Sequence, residues 1–268
     1  MTELKGKVAI VTGAGRLRGI GRAAAVALAK LGADVVITGT GRNPSTYPED
    51  EKSVGWKDIE SVADMVRAEG RRALPVVVDV TRESDVQKMV DKTLDEFGRM
   101  DILINNAAFA RGADRVPILD LSEELFQKVM DIKVTGTFLV SKAVVGHMIG
   151  QGEGGKIVNI SSVAGKRGSS NTLAYNGANF AIVGMTQSMA QELGSHKINV
   201  NCVCPGAVET ARMDVIRDNL PSMAASTPIG RNGTDKEIGD FCAYLCTEAA
   251  SWIHGQSINL NGGTMMEH

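Results

Sequence analysis

A chain of 268 residues with net charge −2, 43% hydrophobic and 22% charged residues can bury a substantial core, and its composition excludes disorder and collagen. The near-neutral charge gives no general electrostatic reason to expect nucleic acid or anionic lipid as a partner, and no apolar run reaches the ~20 residues of a membrane span. The opening Met-Thr-Glu-Leu-Lys-Gly-Lys lacks the apolar stretch of a signal peptide, so the expected compartment is the cytoplasm.

Short β-branched runs recur along the chain: Val8 to Val11, Val35 to Thr38, Pro75 to Val78, Ile102 to Ile104, Ile157 to Ile160, Ile198 to Val203 and Ser257 to Leu260. Runs apolar at successive positions predict strands buried on both faces. Between them, Ala23 to Leu31, Asp58 to Glu69, Ser84 to Phe97, Ser122 to Ile149, Tyr175 to Leu193 and Thr234 to Cys246 have helical period, several opened by Ser, Thr or Asp as caps. Strands alternating with helices predict a single-domain, doubly wound parallel α/β sheet of the Rossmann type. Its ligand crevice lies at the carboxyl ends of the strands, near the switch in strand order.

Two segments interrupt the alternation. Glu209 to Gly233 follows a strand's carboxyl end and is expected to form a substrate lid. Gly39 to Trp56 is expected either at a cofactor's edge or as surface or oligomer decoration. Cys202, Cys204, Cys242 and Cys246 have spacings that match no common zinc or redox template and are expected as reduced structural thiols, and the scattered histidines give no metal pattern.

Directly after the first predicted strand, Thr12 to Gly21 reads T-G-A-G-R-L-R-G-I-G and leads into an alanine-rich helix. Glycines there permit a tight turn and bring backbone N–H groups close to a pyrophosphate at the helix N-terminus. An acidic residue about 20 positions on would favour NAD(H) by binding the adenosine ribose. Counting from Gly19, that place is Gly39, followed by Thr40 and Gly41, with no carboxylate. Arg16, Arg18 and Arg42 could approach the same ribose, which leans the cofactor expectation toward NADP(H) over NAD(H).

The glycine motif, Asp79-Val80, N-N-A-A from Asn105, I-V-N-I-S-S-V-A-G with Ser161 and Ser162, Y-N-G-A-N with Tyr175 and Asn179, and N-C-V-C-P-G-A-V-E-T from Asn201 together resemble the short-chain dehydrogenase/reductase family across essentially the whole chain. The resemblance implies hydride transfer between a nicotinamide cofactor and a ketone or secondary alcohol. It makes Tyr175 the acid/base and Ser162, 13 residues earlier, the group that polarises the substrate oxygen. The glycine motif itself puts Gly13, Arg18, Gly19, Ile20 and Gly21 at the adenosine phosphates, with Arg16 and Arg42 toward the ribose, and the resemblance further implies that Asp79 and Val80 border the adenine. Asn106 and Ala107 would lie along the cofactor ribose, and Pro205, Gly206, Val208 and Thr210 would meet the nicotinamide carboxamide. Members are commonly tetramers or dimers, so a homo-oligomer is expected.

The chain departs from that family's pattern in three places. The lysine expected four residues after Tyr175 is Asn179, and the asparagine expected in V-N-x-x-G-x-F is Lys133, within D-I-K-V-T-G-T-F. The third is the glycine motif, where five residues rather than three separate Gly13 from Gly19. A phenol near pKa 10 needs its anion stabilised to act at neutral pH, and a cation at about 6 Å in an effective dielectric of about 20 supplies about 2.8 kcal/mol. One reading has Lys133 reach into the site and supply that cation while Asn179 takes over ribose or water contacts. The others are a weakened site, or Lys133 facing solvent. A dinucleotide-binding sensor or partner-binding protein is the alternative from another class, although a pure binder would need neither Ser162 nor Tyr175. Met213, Ile216, Leu220, Met223 and Ile229 beside Arg212, Arg217 and Arg231 leave an apolar and an anionic substrate both open.

Overall fold

Alternation along β1 (Val8–Val11) decides the layering, because Ala9 and Val11 point into one apolar core while Val8 and Ile10 point into another on the opposite face. The computed structural model describes residues 3–267. Its central sheet has seven parallel strands in the order β3-β2-β1-β4-β5-β6-β9. The remaining strands of that sheet are β2 (Asp34–Gly39), β3 (Ala73–Val77), β4 (Ile102–Asn105), β5 (Gly155–Ile160), β6 (Ile198–Pro205) and β9 (Ser257–Leu260). Every strand expected from sequence is present. Pro75 is tolerated because β3 is the edge strand, where a missing N–H leaves no ladder partner unsatisfied.

Helices α1 (Ile20–Lys30), α3 (Ile59–Ala68) and α9 (Asp235–Leu245) cover the first core. Helices α4 (Glu83–Phe97), α6 (Gly136–Gln151) and α7 (Leu173–Leu193) cover the second. The alanine-rich sequence of α1 has a packing consequence: a Cβ on Gly239 of α9 would lie 2.5 Å from the Ala23 carbonyl carbon, so these helices approach nearly to backbone contact. Between the sheet and the helices, Asn105 Nδ2 donates to Ser141 Oγ and Asn159 Oδ1, each at 2.9 Å. Asn159 Nδ2 donates in turn to Thr186 Oγ1 at 2.9 Å. Buried amides satisfied in this way tie β4 and β5 to α6 and α7 in one arrangement.

The helix expected from Ser122 is capped by that residue, whose Oγ accepts from Leu125 N at 3.2 Å. It runs as α5 (Glu123–Met130), a π turn over Asp131–Thr135, and α6. Its 29-residue length, and a mean hydropathy of 1.2 over an 18-residue stretch of it, match a membrane span by length and composition, yet in the fold it packs against α4 and α7. Three further elements were not expected: the short α2 (Glu49–Ser53), α8 (Leu220–Ser226), and a two-stranded ribbon of β7 (Val208–Glu209) and β8 (Gly233–Thr234).

Sequential order reverses between β1 and β4, so their carboxyl ends diverge into a crevice. A cavity of about 1200 Å³ occupies it, extending across the ends of β2, β5 and β6.

Candidate active site

The glycine-rich loop leaves β1 at Thr12 and is fastened to the end of β4. Thr12 Oγ1 accepts from Asn106 N at 3.0 Å and Ala107 N at 3.1 Å, and Asn106 Nδ2 donates to the carbonyls of Thr12 and Gly13, each at 2.9 Å. Asn106 is thereby spent on bracing the loop. Gly13 has φ +64°, and a Cβ there would lie 2.8 Å from Ala107 Cα. One on Gly21 would meet Asn106 Nδ2 at 2.5 Å. The bare backbone and the cavity's size fit a dinucleotide, with its pyrophosphate toward the start of α1.

Two of the loop's amides already have carboxylate partners: Leu17 N donates to Glu51 Oε1 at 3.0 Å and Gly19 N to Asp235 Oδ2 at 2.9 Å. Those of Arg18 and Ile20 have none among the described residues. The lengthened loop is held from both sides through Arg18, whose guanidinium meets Asp50 and Asp214 at 2.6 Å each while its carbonyl accepts from Ala211 N.

The insert from Gly39 to Trp56 packs onto the loop. Trp56 Nε1 donates to the Gly15 carbonyl at 2.7 Å, and Arg42 donates to the same oxygen at 3.0 Å. Arg42 also meets Glu51 at 2.7 Å and Asp58 at 2.9 Å. Burial opposes its charge, but these carboxylates more than compensate and raise its pKa. Asp58 begins α3 without capping it, its carboxylate being turned to Arg42. Its backbone is strained, at φ 54°, and a Cβ on Gly15 would fall 1.8 Å from Asp58 Oδ1. An acid thus stands beside Gly39, where counting along the sequence found none.

At the opposite end, β5 delivers Ser161 and Ser162. Ser161 Oγ donates to the Asn179 carbonyl at 3.0 Å, whereas Ser162 Oγ accepts from Ala164 N at 3.2 Å and borders the cavity. Tyr175 and Asn179 stand one turn apart on α7. Asn179 Nδ2 donates back to the Tyr175 carbonyl at 2.8 Å, which fixes the turn beneath the phenol.

Lys133 lies within the π turn, whose extra residue resets the helical phase so that this side chain faces inward. It is 5% exposed, and its ammonium donates to the Ile160 carbonyl at 2.5 Å. Burial pushes its pKa down to about 8; nearby Cys202 and Cys204 oppose that shift and the cationic Arg212 reinforces it. The solvent-facing position weighed for Lys133 is therefore not the one it occupies.

All the catalytic and cofactor-binding residues expected from sequence border this one cavity, including Arg16, Ile20, Asp79, Val80, Pro205, Gly206, Val208 and Thr210; of the lid residues, Arg212, Met213 and Met223 border it, while Ile216, Arg217, Leu220, Ile229 and Arg231 do not. Sequence reasoning missed Asp58, which borders the cavity from the start of α3, Glu51, which holds Arg42 from the insert without bordering the cavity itself, and Arg111 and Arg115, which follow β4 in an irregular segment. All four cysteines are free and buried, and among the described residues no cluster of three or more His, Cys, Asp or Glu is arranged to hold a metal.

Residues 13–265 match a family model described as enoyl-(acyl carrier protein) reductase. The chain is 35% identical over 267 residues to a 3-oxoacyl-(acyl-carrier-protein) reductase of Synechocystis sp., with 99% of this chain and 100% of that protein covered. It is 34% identical to galactitol 2-dehydrogenase of Agrobacterium fabrum, covering 98% and 99% of the two chains. Carveol dehydrogenase from Mycobacterium avium, solved in complex with NAD, matches with a TM-score of 0.87 at 29% identity over 100% of both chains. Acetoin dehydrogenase from Enterobacter cloacae matches with a TM-score of 0.80 at 36% identity, covering 99% of this chain and 96% of that one. Likeness of this extent in sequence and in three dimensions shows that the chain belongs to the short-chain dehydrogenase/reductase family, NAD(P)-dependent oxidoreductases that act on alcohols and ketones.

Proposed function

We propose that the protein interconverts a ketone and a secondary alcohol with Tyr175 as acid/base, Ser162 as the donor that polarises the substrate oxygen, and Lys133 as the cation that makes the phenol reactive. The observation that carries this reading is the burial of Lys133 in the cavity shared by Ser162 and Tyr175. With a pKa of about 8 its ammonium is predominantly charged at pH 7, so the field lost with the Lys-to-Asn change at position 179 has a second source. The nicotinamide, when bound, supplies or accepts the hydride. The protein's part is to orient and to move one proton: Ser162 holds the carbonyl oxygen, Tyr175 protonates it or deprotonates the alcohol, and Lys133 stabilises the phenolate. Asn179 keeps one amide hydrogen and Oδ1 for a cofactor hydroxyl or a relay water. The binding-only reading loses its motive once Lys133 supplies the cation.

For the cofactor, the lean toward NADP(H) rested on the absence of an acid at the end of β2. Asp58 stands in that space, and Arg18 and Arg42 are already paired with carboxylates, so we read the site as one for NAD(H). The segment from Glu209 to Gly233 is read as the substrate lid, supported by Met213 and Thr210 bordering the cavity. A homo-oligomer, tetramer or dimer, is supported by Phe138 and Phe180, exposed at 51% and 46%; light scattering that returned a monomer would refute it.

The test of the activity is absorbance at the reduced-nicotinamide band, with NADH and NADPH offered separately against a panel of ketones and diketones. Oxidation of NADH is expected. Silence with both, despite measured cofactor binding, would overturn the reading.

A further inference from the structure

The ring of Tyr175 is surrounded by cations. The Arg115 guanidinium carbon sits 3.7 Å from its centroid and that of Arg212 5.2 Å away. Arg111 closes the same group, with one guanidinium nitrogen 3.8 Å from Met213 Sδ. These side chains come from two elements, the irregular segment after β4 and the start of the lid, and converge only in three dimensions.

Their charges are poorly matched. The buried carboxylate beside them is Asp114, whose Oδ2 lies 3.5 Å from Arg115 Nε, and both atoms are buried without a hydrogen-bond partner. Arg212 gives one hydrogen bond, to the Phe109 carbonyl. The pKa values of Arg111 and Arg212 are both lowered, by burial first, with Arg115 repelling each of them. Glu124, Lys128 and Asp131, on the α5 side of the cavity, sum to one negative charge, but Glu124 is exposed, Asp131 half-buried, and among the described residues neither carboxylate forms an ion pair with the three arginines. Three guanidiniums against one buried carboxylate is a costly arrangement for an enzyme whose substrate is neutral. A guanidinium presents paired donors to an oxyanion, and a ligand carrying one would compensate both the repulsion and the desolvation.

We propose that the substrate carries a carboxylate or a like oxyanion within a few bonds of its reacting carbonyl, and that Arg115 and Arg212 clamp it beside Tyr175. The inference rests on the hydride-transfer reading of this site and narrows its substrate to oxo acids or hydroxy acids. The clamp sets which end of the molecule enters first and so aims the carbonyl at Ser162 and Tyr175.

The test has two readouts. In steady-state kinetics with NADH, 2-oxopentanoate or 4-oxopentanoate is expected to exceed 2-pentanone in kcat/KM by about 10- to 100-fold, the range of a charge-assisted hydrogen bond. Arg115→Gln and Arg212→Gln are expected to erase that ratio chiefly through KM, while Arg67→Gln, on the surface of α3, leaves it within twofold. Separately, calorimetry follows pentanoate binding to the enzyme loaded with NAD+, which requires no turnover. Pentanoate that binds the wild type and loses about 10-fold or more in affinity in either variant supports the clamp, even if no ketone is reduced and the hydride reading itself fails. Equal use of 2-pentanone and the oxo acids by the wild type, with no pentanoate binding, overturns the clamp and leaves hydride transfer standing; neither measurement on the wild type depends on a variant that folds.

Discussion

Replacing Lys133 with methionine keeps the unbranched stem of the side chain and removes its charge, and the structure gives a magnitude for what that charge costs. Burial lowers the ammonium from its ordinary 10.5 to about 8, a difference of about 2.5 units or about 3 kcal/mol. The folded protein releases this proton at a lower pH than the unfolded chain does. Between about pH 8 and 10.5 the unfolded chain therefore binds more protons, and the lysine's contribution to stability rises with pH. At pH 7 the ammonium is charged in both states and its burial penalty is fully present. Wild type should thus gain about 2 to 3 kcal/mol relative to Lys133→Met between pH 7 and pH 10. The assay is urea denaturation of both proteins at several pH values across that range, plotted as their difference, in which the other titrating groups and the lost bond to the Ile160 carbonyl cancel as constants. The same variant should lose up to about 100-fold in kcat/KM at pH 7, and the acid limb of its oxidation profile should move to higher pH, since a cation placed about 6 Å from a phenolate in an effective dielectric of about 20 would be worth about 2.8 kcal/mol. Parallel stability curves would refute the buried, titrating lysine. An unmoved pH–rate profile would refute its electrostatic role.

Two further predictions concern residues that act as pairs. Asn179→Lys restores the family's usual residue but places a second cation in a pocket that already holds Lys133, so activity should fall at least 10-fold; Lys133→Asn in the same chain should recover most of it, and additive losses in the double variant would show that the two positions do not exchange roles. Asp58→Asn removes a carboxylate from beside Gly39 and leaves Glu51 as the main counter-charge of Arg42, so the repulsion of a 2′-phosphate falls and the ratio of kcat/KM for NADPH over NADH should rise about 10-fold or more; an unchanged ratio would remove Asp58 from cofactor selection.

Much of the fold was legible because its causes are local. Runs such as Val8 to Val11 are apolar at successive positions because both faces of the strand are covered, and Ser122 and Thr234 cap helices through side chains that reach only three residues along the chain. Tyr175 and Asn179 fall on one face of a helix by spacing alone, and Ser162 follows the end of a strand that its β-branched residues announce. The exchange of lysine and asparagine between positions 133 and 179 was likewise visible as a break in a motif. Its consequence was not, because the direction of the Lys133 side chain depends on a π turn, a register change that no residue type specifies and that the packing of α5 and of the turn itself against α7 supplies. Asp58 could not be found by counting, since the insert before α3 lengthens the path along the chain without lengthening the distance to Gly39. Arg115 and Arg212 are 97 positions apart, one in an irregular segment and the other in a 3-10 stretch at the start of the lid, where charge carries no periodic signal. Periodicity and capping are properties of neighbours in sequence, and so the chain determined its strands, its helices and the place of Tyr175 on one of them. Electrostatic fields sum over neighbours in space, and so only the tertiary structure decided which cations face Tyr175, that Asp58 stands beside Gly39, and that Lys133 is buried.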